Sequence, residues 1–125
     1  MAKGRPLAGL PLSSRKRGRI SGMPTLLVFT TLPDTDNAQK LATLLVEQRL
    51  AACVNILAPC RSVYRWQDKI EDAIEVPLLI KTQTERYAEL EAAIIAHHPY
   101  ELPEIVAVSI ERGLPDYLAW VVSQT

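Results

Sequence analysis

Two cysteines, five glycines and no long apolar run in 125 residues exclude several classes of protein. Cys53 and Cys60 are seven positions apart in a stretch that reads as strand, about 23 Å if it runs straight. Bridged Cα atoms need about 7 Å. Both thiols are therefore expected to stay reduced in a cytoplasmic protein. Four of the five glycines precede residue 23, so no loop can cradle a phosphate in the Walker or dinucleotide manner. GxSxG, HExxH and CxxC are absent as well. The apolar runs, such as LLVF at 26–29, fall far short of the roughly 18 residues a membrane-spanning helix needs.

Charge is unevenly placed. Residues 1–22 hold six of the fourteen Lys and Arg and no acid, which leaves eight bases against fourteen acids, a net −6, on residues 23–125. The first segment, rich in Gly, Ser, Pro and bases, reads as an unfolded basic extension or a leader before Met23; residues 23–125, 48% hydrophobic over the whole chain, read as one domain. An acidic domain lacks the basic face that nucleic acid requires, and EIVAVSI (104–110) lacks the basic-aromatic pattern of RNA-binding strands.

TLLVFTT (25–31) reads as a buried strand. Asp34 then caps a helix over 34–50, with Ala38, Leu41, Ala42 and Leu45 at helical spacing. CVNILAPCRSVYRW (53–66) and IEDAIEVPLLIKT (70–82) form a long hairpin with Asp68 at its tip, and Pro59 and Pro77 mark bulges or edge positions. Thr82 and Glu85 stand at capping-box spacing before a second helix, 84–97, which must break at His98 because Pro99 follows. A strand at 104–110 and a short helix, DYLAWVVS, complete the order. This is an α+β chain of the ferredoxin-like, split β-α-β kind, with an antiparallel sheet and an added terminal helix.

Fourteen strand residues extend roughly 46 Å, whereas a domain of this size is about 33 Å across. The hairpin must overhang, carrying Val63, Tyr64, Trp66 and Ile70 away from the core. A second copy of the chain is the expected cover.

Several residues could carry chemistry. Cys53, His97 and His98 are soft ligands suited to Cu(I) or Zn, and each also has an ordinary role, a small buried hydrophobe or imidazoles at a helix end. A thiol nucleophile at Cys53 is disfavoured by its apolar neighbours in AACVNIL, so no enzyme is expected. Lys81 ends the run PLLIK and either faces a cleft or reaches solvent. Tyr64, Trp66, Tyr100, Tyr117 and Trp120 either wall a pocket or belong to core and interface.

Five ordered segments, LAACVNI (50–56), SVYRW with KI (62–66, 69–70), EVPLLIKT (75–82), HPYELPEI (98–105) and DYLAW (116–120), together resemble the CutA family of divalent-cation tolerance proteins over residues 24–122. The resemblance implies a trimeric, cytoplasmic, ferredoxin-like protein of metal-ion response, related in architecture to the PII signalling proteins. It ties Cys53 and His98 to copper binding. Thr30 and Thr31 stand where other ligands of the family lie, without a cysteine, Ala58-Pro59-Cys60 replaces a Pro-Gly pattern, and Asp68 replaces a glycine. The expectation is a non-enzymatic homotrimer that binds copper, zinc or another divalent cation and requires no cofactor. Two alternatives stand beside it. One is a PII-like sensor holding an anionic ligand on Lys81 in an inter-subunit cleft lined by Tyr64, Trp66, Tyr100, Glu104, Tyr117 and Trp120; the other is a scaffold or anchor without a ligand.

Overall fold

The computed structural model describes residues 24–125; the basic segment 1–22 and Met23 lie outside the described residues. The elements are β1 (Thr25–Leu32), α1 (Thr35–Glu47), β2 (Cys53–Ile56), β3 (Cys60–Trp66), β4 (Lys69–Gln83), a 3-10 turn (Thr84–Arg86), α2 (Tyr87–His97), β5 (Val106–Ser109) and α3 (Pro115–Ser123). All pairings are antiparallel, in the order β2-β4-β1-β5, with β3 pairing the first half of β4. This is the expected ferredoxin-like arrangement, with the first hairpin strand divided in two.

Alternation along β4 decides where the core lies. Val76, Leu78, Ile80 and Thr82 are fully buried, and the residues between them are half-buried. The buried row meets Val28 and Leu32 of β1, Leu41 and Leu45 of α1, and Leu90 and Ile94 of α2, so the apolar stripes of both helices cover one sheet face. Asp34 caps α1, its Oδ1 accepting the Asn37 N–H at 2.8 Å. That bond, before any other cause, holds the Asp34 carboxyl below its ordinary value.

The helix expected to reach residue 50 ends at Glu47. Arg49 turns left-handed at φ 57°. The Leu50 N–H then returns to the Leu45 carbonyl at 2.9 Å and the Arg49 N–H to Val46 at 3.1 Å, a paired C-terminal cap with arginine where glycine is usual. The expected capping box at α2 does not form. β4 runs on through Thr82, whose buried hydroxyl donates to the Leu50 carbonyl at 2.7 Å, and a 3-10 turn opens the helix instead. α2 ends at His97, with His98 extended before Pro99, as the proline requires. β5 is shorter than 104–110, pairing only over Val106–Ser109.

The long strand breaks at Leu57–Pro59 in a one-residue bulge. Ile56 is opposite Leu78 and Cys60 opposite Glu75, so β2–β3 advances four residues while β4 advances three. Cys53, opposite Lys81, and Cys60 therefore share a face despite their odd separation. Pro77 sits at this gap. Its carbonyl accepts the Leu57 N–H at 3.0 Å, and since the N and C=O of one strand residue point the same way, its missing donor faces the interrupted edge. Beyond the bulge, β3 and residues 69–75 of β4 form a two-stranded arm. It closes with Gln67 and Asp68 at φ 50° and 65°, the two left-handed residues of a tight hairpin turn where Asp68 alone was expected. Val63 is 66% exposed and Ile70 64%, so the arm overhangs as its length demands.

Candidate functional site

Where the arm leaves the body, four residues from three distant stretches of the sequence close a hydrogen-bonded ring. Pro99 stops α2 and leaves His98 extended against the end of β1. His98 Nε2 lies 2.7 Å from the Thr31 carbonyl, and the Tyr100 N–H points at His98 Nδ1 at 3.1 Å. A carbonyl only accepts and a backbone N–H only donates, so Nε2 carries the hydrogen and Nδ1 the lone pair. Both ring nitrogens are thus engaged.

The ring continues through the arm. The Tyr100 hydroxyl hydrogen-bonds Glu75 at the base of β4, and Glu75 Oε2 accepts the Thr31 hydroxyl at 3.1 Å. Burial first, and then the Glu75 carboxylate, push the Tyr100 phenol up to about 12. The His98 and Tyr100 rings stack, tilted, at 4.8 Å.

Thr31, Glu75 and Tyr100 form the floor of an open cleft of about 1010 Å³, walled by Tyr64 and Trp66 of the arm and by the loop 101–105. Its charged lining residues are Glu75, Glu101 and Glu104, with no Lys, Arg or His among them. The cleft offers carboxylate and hydroxyl oxygens together, the donor set of hard cations, and apolar walls from Val63, Leu102 and Val106.

The sequence-derived candidates divide. Tyr64, Trp66, Tyr100 and Glu104 line the cleft together. Lys81 does not: its ammonium donates to the Asn55 side-chain oxygen across β2–β4, beside Cys53. Tyr117 and Trp120 pair with each other on α3, ring centroids 5.6 Å apart, outside the cleft lining. His97 is exposed at the helix end, its Nδ1 2.9 Å from the Ala93 carbonyl.

Cys53 is half-buried opposite Lys81, whereas His98 lies on Thr31, whose partner on β4 is Pro77. Four residues of strand, about 13 Å, separate those two points along β4. One subunit does not bring Cys53 and His98 together. Among the described residues no group of three or more His, Cys, Asp or Glu is placed to hold a metal ion. Glu75 and Glu101 escaped the sequence reading. The one available signal for Glu75 was a carboxylate at the head of the buried run EVPLLIKT.

The CutA1 divalent ion tolerance protein family model matches residues 26–124. The divalent-cation tolerance protein CutA of Thermus thermophilus is 43% identical over 99 residues, 79% of this chain and 96% of that protein. The crystal structure of CutA1 from Shewanella sp. SIB1, described as a stable protein, superposes with a TM-score of 0.81 at 43% identity, covering 84% of this chain and 98% of that one. A second structure, from Archaeoglobus fulgidus and described as a periplasmic divalent cation tolerance protein, gives 0.78 at 39% identity over 80% and 97% of the two chains. A family match across the folded region, relatives near 40% identity and the shared architecture agree: the chain belongs to the CutA1 divalent ion tolerance protein family.

Proposed function

We propose that the protein is a non-enzymatic homotrimer of metal-ion response that binds divalent cations, copper or zinc among them, in a reducing cytoplasm. The observation that carries the cation reading is the cleft's lining, three carboxylates and no basic side chain. Such a surface favours a cation and repels an anion. Lys81, needed by a PII-like anion sensor, is held by Asn55 away from the cleft, which weighs against that alternative. The exposed apolar arm supports assembly through β3–β4. Two unpaired cysteines, set on β4 partners six residues apart, support a reducing compartment.

Neither candidate soft ligand is complete within one subunit. Cys53 would supply a thiolate from the β2 edge, and His98 a lone pair only by releasing the Tyr100 amide. The ligand set is therefore one that neighbouring subunits complete. Native mass spectrometry of the assembled protein with Cu and Zn tests this on the wild type, Cys53→Ser, His98→Ala and Glu75→Gln. Trimer mass with uptake reduced by Cys53→Ser or Glu75→Gln supports the reading. Monomer mass, or uptake unchanged in every variant, refutes it.

A further inference from the structure

Charge is ordered along the arm. Residues 61–69, running from base to tip, hold three bases and one acid, Asp68 at the turn, whereas residues 99–106 beside the base hold two acids and no base. Arg65 and Lys69 are exposed at the tip, and Glu101 and Glu104 are exposed in the cleft lining. Among the described residues the ion pairs are Arg61–Asp72, at 3.3 Å on the arm, and Arg86–Glu89 on the body. None of those four exposed charges is therefore neutralised by another described residue of its own copy. Glu75 differs, being held by Thr31 and Tyr100.

Apolar surface is divided in the same way. Ile70, the cross-strand partner of Arg65, is exposed at the tip, and Leu102 is exposed in the loop that carries both glutamates. Lys69 stands six strand residues, about 20 Å, from Glu75 at the base. Each arm thus begins at an acidic cleft with apolar walls and ends in a basic tip with apolar side chains. Two copies set tip against tip would oppose like charges. Tip against cleft pairs opposite charges and buries apolar groups of both surfaces.

We infer that the tip of one copy's arm enters the acid-lined cleft at the base of the next, where Arg65 and Lys69 pair with Glu101 and Glu104 and Ile70 covers Leu102. The contact is heterologous: each copy gives its tip to one neighbour and receives the tip of another, the kind of contact that closes a ring. The cleft is then an interface completed by a second copy. Glu75 keeps its own partners, Thr31 and Tyr100, and takes no part in the pairing. The inference rests on the proposed assembly through β3–β4, to which it adds a direction and a set of charge pairs.

Carbodiimide cross-linking tests the contact, because it joins an amine to a carboxylate only where the two touch. Full-length chains labelled with light and with heavy nitrogen are refolded together, cross-linked and digested, and oligomer mass is read by light scattering on the same sample. Hybrid peptides joining Lys69 of one isotope to Glu101 or Glu104 of the other are expected. Lys69→Arg, which keeps the charge and removes the amine, should abolish them without lowering the mass. Reversing the tip (Arg65→Glu, Lys69→Glu) or the cleft (Glu101→Lys, Glu104→Lys) should weaken assembly more than about tenfold, and the chain with all four changes should regain the wild-type mass. An oligomer without hybrid cross-links, or one that neither reversal weakens, overturns the inference and leaves assembly through the arm standing. A wild-type mass of 13.9 kDa, the single subunit, refutes that assembly itself and the inference with it.

Discussion

The two halves of β4 obey opposite rules. Residues 76–83 pair with β1 along their whole length and with β2 over 78–81, and every second side chain is sealed beneath the helices. Residues 69–75 pair with β3 alone, and their largest apolar groups, Ile70 and Ile74, are 64% and 54% exposed. One strand therefore carries a half whose partners are all within the chain and a half whose apolar surface finds none there. The first half accounts for the fold. The second leaves its apolar surface exposed, and the cleft lies at the boundary between them.

The contrast breaks hardest at its buried end. Leu78→Ala removes a fully buried side chain and should cost about 2–5 kcal/mol in urea unfolding. If the cost falls below 1 kcal/mol, the inner half is not the core. The arm should respond differently: Val63→Glu with Ile70→Glu is expected to lower the mass by light scattering to the 13.9 kDa subunit while leaving the far-UV circular dichroism of the body unchanged. An unchanged oligomer mass would show that the arm is not the assembly surface.

At the boundary, Tyr100→Phe removes one charge-assisted bond to Glu75, about 1.5–3 kcal/mol. The phenol's value in the folded chain is raised to about 12 from 10.0, so its contribution is fully present below pH 10 and is lost as pH rises toward 12. Wild type should therefore lose its advantage over Tyr100→Phe across that window, and a constant difference would rule out the bond. The smallest effect is away from β4. Arg49→Gly relieves a left-handed arginine at the α1 cap and should raise stability by about 0.5–1 kcal/mol, a few degrees in Tm. A decrease would mean that the arginine side chain contributes more than its backbone costs.

Sequence reasoning reached the parts governed by near neighbours. Compact β-rich runs placed β1 and β4, Asp34 announced α1, and Pro99 fixed the break at His98. It missed where a local preference met a longer-range competitor. Thr82 and Glu85 have capping-box spacing, but the ladder to β1 holds Thr82 in the strand. The arm's length and overhang were legible because strand rise is constant. The ring of Thr31, Glu75, His98 and Tyr100 was not, since cross-strand neighbours depend on register, and nothing local in the sequence sets the register of β1 against β4. Lys81 shows the same limit. Alternation gives its face, and only pairing reveals that Asn55 is within reach.

The extra residue of the bulge at 57–59 has a consequence for symmetry. Deleting Ala58 would leave Cys60 opposite Glu75 and Cys53 opposite Lys81, because the bulge adds a residue without changing these pairings. What the deletion removes is the bend. The direction in which the arm projects is thus encoded in the presence of a single residue, independently of which side chains it displays. Copies joined arm to body at one angle close into a ring, and at another the same contact repeats without closing, as an open helical array. A one-residue change in length, with no change in surface chemistry, would then separate a finite assembly from a fibre.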